Sequence, residues 1–146
     1  MSGRAGAPRP VEEEEAYRLA ALMGVAEGPG TLLLVGAPAA AAEGVARVVP
    51  GVEVVAADGA MAVWPPAPRV TRVVSRPGLP FFDGTFRGVV VDGGMGGAWI
   101  GEAARVAARA GRVVVVDPPA GAEVVLEAAR MSVLARDAGT IVAARG

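Results

Sequence analysis

The chain of 146 residues contains no cysteine and no histidine, and lysine, asparagine and glutamine are missing as well. Without cysteine there is neither a disulfide framework nor a thiol nucleophile. The joint loss of cysteine and histidine argues against a structural zinc site. A histidine-based triad cannot be assembled, a lysine Schiff base cannot form, and a Walker-type phosphate loop lacks its lysine. Chemistry is left to Asp, Glu, Arg, hydroxyls, backbone groups or a cofactor. Aromatic residues make up only 4% of the chain, while apolar residues reach 53%. Valine, alanine and leucine must therefore fill the core.

Charge of one sign is also lacking. The 14 basic residues are all arginine, they are scattered, and the formal net charge is −1. No basic patch for nucleic acid is evident. No apolar run reaches the ~20 residues that span a bilayer. Residues 1–10 lack the apolar centre of a signal peptide and read as a flexible tail, with residues 11–146 forming a single domain. A cytoplasmic location is the default expectation.

What is present is an alternation of elements. Residues 11–26 read as a helix, with Ala16, Leu19, Ala20 and Met23 as its buried stripe. Glu12, Glu13, Glu14 and Glu15 crowd its start, where the helix dipole favours negative charge and solvent surrounds it. Gly28, Pro29 and Gly30 break it. Residues 31–35 are continuously apolar, as expected of a strand buried on both faces. Residues 38–49 read as a helix and 52–57 as a second strand. Residues 59–68 have room for a short helix at most, because Pro65, Pro66 and Pro68 stop it. Strands follow at 70–74, 88–91, 112–116 and 140–144. Helices are predicted along Trp99, Ile100, Ala103, Val106, Ala107 and Ala110, and again over 123–136. Such alternation implies right-handed crossovers and an α/β, Rossmann-like, doubly wound fold. The expected sheet is mainly parallel and six-stranded, with helices on both faces.

In such a sheet ligands bind beyond the carboxyl ends of the strands, where the strand order reverses. Gly36 and Ala37 open a turn from the first strand into a helix at Pro38, where free N–H groups suit an anionic ligand group. Asp58 lies 22 positions after Gly36, a spacing suited to an acidic residue that accepts hydrogen bonds from a ribose diol. Gly59 adjoins it. The same Asp also reads as a turn former or helix cap. Asp92, followed by Gly93 and Gly94, could take a proton, and it too reads as a turn former. Trp64 and Trp99 read as packing residues, and Met61 as a core residue or a border to an adenine.

The segment Leu79-Pro80-Phe81-Phe82-Asp83-Gly84-Thr85-Phe86 resembles the LPF segment of class I S-adenosylmethionine-dependent methyltransferases, especially the small-molecule, methyltransferase type 11-like kind. The order of elements over residues 31–145 is similar, as is Glu102-x-x-Arg105-Val106 leading through Ala110-Gly111-Arg112 into a strand. The resemblance implies S-adenosyl-L-methionine as cofactor, bound through Gly36, Ala37, Asp58, Gly59, Ser75 and Leu79. It also implies a small-molecule acceptor, with Asp92 as the catalytic base and no metal. Departures accompany it. The family's acidic residue and glycine run fall on Leu34, Val35, Gly36, Ala37, Pro38, Ala39 and Ala40, where only the first glycine survives. Its Asp-Ala pair falls on Ser75-Arg76, and its seventh, antiparallel strand is expected to be missing. Pro38 has no N–H to offer, although proline is tolerated at a first helical position.

Two functions follow. Methyl transfer asks the protein mainly to position an acceptor beside an already activated cofactor, so the missing residue types do not forbid it. The alternative is a catalytically degenerate domain serving as a binding or interaction module, with an exposed last strand that would invite homodimerisation. A nicotinamide reductase fits poorly, because the glycine fingerprint fails and a Tyr-x-x-x-Lys pair is impossible.

Overall fold

The computed structural model describes residues 10–58, 67–74, 79–137 and 139–146. Helix α1 (Pro10–Met23) is followed by β1 (Thr31–Val35), a 3-10 turn (Ala37–Ala41) and α2 (Ala42–Val48). Next come β2 (Glu53–Asp58), β3 (Val70–Val74), β4 (Phe86–Asp92), a second 3-10 turn (Gly93–Met95) and α3 (Gly97–Val106). The chain then forms β5 (Ala107–Val116), α4 (Ala122–Ala128), β6 (Met131–Asp137) and β7 (Thr140–Arg145). Seven strands make one sheet in the order β3-β2-β1-β4-β5-β7-β6. The pairings from β3 through β5 are parallel, while β7 runs antiparallel to both β5 and β6.

The α/β, doubly wound fold is as expected, and its cause lies in the strand sequences. Successive side chains of a strand point to opposite faces, so Leu32, Leu34, Val90 and Val114 pack beneath α1 and α2. Leu33, Val35, Val89, Val91, Val113 and Val115 pack beneath α3 and α4. Each of these ten side chains is wholly buried, which is why β1 and β4 carry no polar alternation. In α1, the expected stripe of Ala16, Leu19, Ala20 and Met23 is buried, while Glu13, Glu14 and Glu15 are exposed.

Three expectations are corrected. The seventh strand is present: the helix anticipated over 123–136 stops at Ala128, and residues 131–137 become β6. Ala, Leu, Glu and Arg give this stretch helical propensity. Arg130, however, takes a left-handed φ of 65°, and the following residues gain a full ladder against β7. Tertiary pairing outweighs local preference here. In consequence the last strand is not an edge, since β7 is paired on both sides. That removes the premise for homodimerisation through it. The outer strand is β6, whose register shifts between Val133 and Ala135 and whose Arg136 and Asp137 are exposed. Bulges and charges are the usual protection of an edge.

The helix expected to reach Ala110 ends at Val106, and the shift between Phe86 and Gly88 in the β4–β5 register absorbs the extra residues. Helix α1 begins at Pro10, taking in one residue expected in the tail. It stops at Gly24, whose φ is 71°, before the Gly28-Pro29-Gly30 breaker. The Gly24 N–H donates to the Ala21 carbonyl and the Val25 N–H to that of Ala20, a glycine-terminated helix end.

Gly88 lets α1 sit down on the sheet. An ideal Cβ added at Gly88 would lie 2.8 Å from Met23 Sδ and 3.1 Å from Met23 Cβ. Gly88→Ala should therefore lower the unfolding free energy by about 1–3 kcal/mol through overpacking. Urea denaturation measures it, and an unchanged midpoint would show that α1 is not seated this closely.

Candidate functional site

Strand order reverses between β1 and β4, so their carboxyl ends form the switch point of the sheet. Gly36 leaves β1 with φ 82° and ψ −138°, a backbone state that essentially only glycine adopts. Its N–H donates to the Ala57 carbonyl at 2.9 Å, which ties the end of β1 to the end of β2. Its carbonyl accepts the Ala39 N–H at 2.9 Å. The turn that follows therefore keeps few donors for an anionic group: the Ala39 N–H is committed and Pro38 has none. Pro38 is buried in the first turn, as proline's tolerance there allows, while Ala37 and Ala40 face solvent.

Asp92 ends β4 directly beside this glycine. Its carboxylate Oδ1 accepts the Gly94 N–H at 2.9 Å and caps the Gly93–Met95 turn. An ideal Cβ on Gly36 would lie 2.9 Å from Asp92 Cβ and 3.5 Å from Asp92 Oδ2. The turn-former reading of Asp92 is seen in this cap, and its carboxylate lies half-buried at the switch point. Asp58 ends β2 and is also half-buried. The structure brings Gly36, Ala37, Asp58 and Asp92 to one end of the sheet. Leu34 is fully buried against α1 and α2, so no carboxylate stands at the position corresponding to the family's acid. Gly59, Ser75, Met61 and Trp64 lie outside the described residues, as do most of residues 59–68 anticipated as a short helix.

Leu79 is placed by a network that the sequence had shown only as a resemblance. The Leu79 N–H donates to Glu102 Oε1 at 2.8 Å. Arg105 Nε donates to Glu102 Oε2, Nη2 to the Leu79 carbonyl and Glu102 Oε1, and Nη1 to the Phe81 carbonyl and Asp83 Oδ1. All five guanidinium donors are thereby used. The loop carrying Leu79 and Phe81 is clamped to α3, and Phe81 meets Phe86 edge-on with ring centroids 5.0 Å apart. Leu79 itself is buried in the core under this loop. Trp99 is buried in the same core, the packing role expected of it.

Arg72 on β3 was not singled out by the sequence. Its Nη1 donates to the Ala39 carbonyl at 3.2 Å. Burial pulls the guanidinium below its ordinary value, and attraction to Glu43 and Asp58 partly offsets this. An arginine on the second strand after a glycine turn carries no pattern that marks it; only the sheet order brings it beside Asp58. Asp117 follows β5, in a segment where substrate selectivity was an expectation although Asp117-Pro118-Pro119 does not read as the family's amine motif. Its φ is 48° and its N–H donates to the Gly139 carbonyl at 2.9 Å. A cleft of about 450 Å³ lies between α1, the turn after β1, the end of β5 and the β6–β7 hairpin. Glu15, Arg18, Leu19, Pro38, Val116 and Asp117 are among its walls. Arg18 is held there by Glu15 and by the buried Thr140 hydroxyl, each at 2.9 Å. Among the described residues no group of carboxylates is arranged to hold a metal ion, and no helix is long and apolar enough to cross a membrane.

This sheet order, with its one antiparallel strand next to the edge, defines the Rossmann-like fold of the methyltransferases. No protein-family model matches the chain, and no curated protein sequence matches it either. Solved structures do. A chain in complex with the Haloferax volcanii Trm112 methyltransferase activator is 17% identical with a TM-score of 0.68, covering 88% of this chain and 74% of its own. Geranyl diphosphate C-methyltransferase of Streptomyces coelicolor A3(2), solved with S-adenosyl-L-homocysteine, is 12% identical with a TM-score of 0.71, covering 91% and 76%. The [4+2]-cyclase SpnF is 18% identical with a TM-score of 0.64. Here 84% of this chain matches, but only 58% of SpnF is spanned. At these identities the likeness is one of fold.

The carboxylate of Glu102 lies below its usual range, chiefly because of its hydrogen bonds with Arg105. A group depressed on folding contributes stability above its unfolded value, near 4.3, and loses it as pH falls through the folded value. Glu102→Gln should therefore be less stable than the wild type at neutral pH, by about 2 kcal/mol, and the gap should close towards about pH 3. Urea midpoints across that range check it. A gap independent of pH would remove the ion pair from the loop's support.

Proposed function

We propose that the chain is an S-adenosylmethionine-dependent methyltransferase acting on a small molecule. The observation carrying this is the convergence of Gly36, Asp58 and Asp92 at the carboxyl ends of three adjacent strands, around the switch point of a methyltransferase fold. The donor set suits the cofactor. Asp58 is the residue to accept hydrogen bonds from a ribose diol, as the acid at the end of the second strand does in nucleoside-binding sheets. Gly36 supplies a backbone with no Cβ where a ligand can lie close, and Ala37 continues that wall. The clamp of Arg105 and Glu102 holds the Leu79 loop as a further wall, and Gly59 and Ser75 complete the set carried by the resemblance.

When bound, the cofactor supplies a methyl group on an already activated sulfonium, so the protein need only position an acceptor and manage a proton. Asp92 is the group to accept that proton, with one carboxylate oxygen held by the Gly94 N–H and the other lying towards Gly36. The cleft beside α1 is the place for the acceptor. Its size, about 450 Å³, lies within the range of small-molecule sites.

Thermal unfolding with S-adenosylhomocysteine is the test. A ligand at ~100 times its dissociation constant adds about 2.7 kcal/mol of stability. Asp58→Ala should weaken that ligand about ten- to hundredfold, the worth of hydrogen bonds to a charged group, as read from the ligand-induced shift relative to the variant's own ligand-free melting. Unchanged affinity would take the ribose from Asp58. No stabilisation of the wild type even at millimolar ligand would favour the alternative, a degenerate binding module, for which the buried Leu34 and the committed donors of the 36–39 turn speak.

A further inference from the structure

Gly36 does not face an open hollow. An ideal Cβ at this glycine would lie 2.5 Å from Met95 Sδ, closer than any other atom. Met95 closes the Gly93–Met95 turn that Asp92 caps, and its thioether therefore stands in the crook at the switch point. The backbone of this turn has little freedom to withdraw. An added Cβ at Gly93 would meet the Asp117 carbonyl oxygen at 2.5 Å and Pro118 Cα at 2.8 Å, so the turn is wedged against the end of β5. The side chain is different. Methionine is unbranched with three rotatable bonds, Met95 is only half-buried, and a Cβ on the neighbouring Gly96 would meet nothing within 4 Å.

We propose that Met95 is a gate that determines specificity at this site, holding the place of the amino-acid arm of an S-adenosyl ligand until that arm displaces it. The inference rests on the cofactor reading above. The chemistry of the two groups is alike. A methionine side chain and the inner part of the homocysteine arm both present a CH2–CH2–S unit of the same width, so the space that holds the first has room for that part of the second. Because the turn backbone is wedged, the exchange is a rotation of the Met95 side chain. A ligand lacking the arm, such as 5′-methylthioadenosine, still reaches Asp58 at the end of β2 and leaves Met95 where it is. The gate thus lowers apparent affinity only for ligands that carry the arm, because a site that is closed most of the time binds weakly in proportion.

Isothermal titration of the wild type, Met95→Ala and Met95→Leu with S-adenosylhomocysteine and with 5′-methylthioadenosine tests this. Met95→Ala should bind S-adenosylhomocysteine about tenfold more tightly with 5′-methylthioadenosine unchanged, and Met95→Leu, of similar bulk, should behave as the wild type. In the wild type, the methyl NMR signal of Met95 should move with S-adenosylhomocysteine and stay with 5′-methylthioadenosine. Weaker or unchanged binding of S-adenosylhomocysteine by Met95→Ala, with 5′-methylthioadenosine still bound, overturns the gate and leaves the nucleoside site standing. If neither ligand binds any of the three proteins, the cofactor reading is overturned and the gate with it.

Discussion

Strand β1 is buried from Leu32 to Val35 and paired with β2 on one side and β4 on the other. The chain passes from it to β2 and reaches β4 only after β3, so the strand order reverses at the carboxyl end of β1. Everything of functional interest depends on how the backbone turns there. Gly36 makes the turn in a conformation that a side chain would strain, hard against Asp92 and Met95. The same glycine that lets a ligand come near also lets two of the protein's own side chains come near. The site is a place of close approach before it is a place of binding.

The missing lysine, asparagine and glutamine leave the polar bonding of this fold largely to arginine. Arg69 holds the carbonyls of Ala46, Val49 and Val52. Arg87 holds those of Glu27 and Pro29, and Arg145 holds those of Ala104 and Ala107. Arg105 does the same for the loop of Leu79 and Phe81 while pairing with Glu102. A planar fork with five donors can bridge several carbonyls at once, which a short amide cannot. The carbonyls they reach lie at helix ends and in loops, where helical bonding runs out.

Fold and activity separate clearly in this architecture. The solved structures that share it include a methyltransferase bearing S-adenosyl-L-homocysteine and a [4+2]-cyclase, so one sheet carries different chemistry according to the side chains at its rim. Among the described residues the rim carries two carboxylates at strand ends, an arginine whose charge is attracted to Glu43 and Asp58, and a thioether over the glycine turn.

The amino-acid pattern by itself determined the class of fold, because runs such as Leu32-Leu33-Leu34-Val35 and Val89-Val90-Val91 are too apolar for anything but strands covered on both faces. It also placed Gly36, Asp58 and Asp92 at strand ends, since the end of an apolar run is a local property. It did not reveal β6, because Met131–Asp137 is extended only through its ladder with β7. For the same reason the last strand was misplaced at the edge. Nor did it reveal that Met95 lies over Gly36 or that Arg72 lies near Asp58, pairs separated by strands that only the sheet brings together. Local periodicity reports burial along one element, while strand order and contact across a turn are decided by packing between elements distant in sequence.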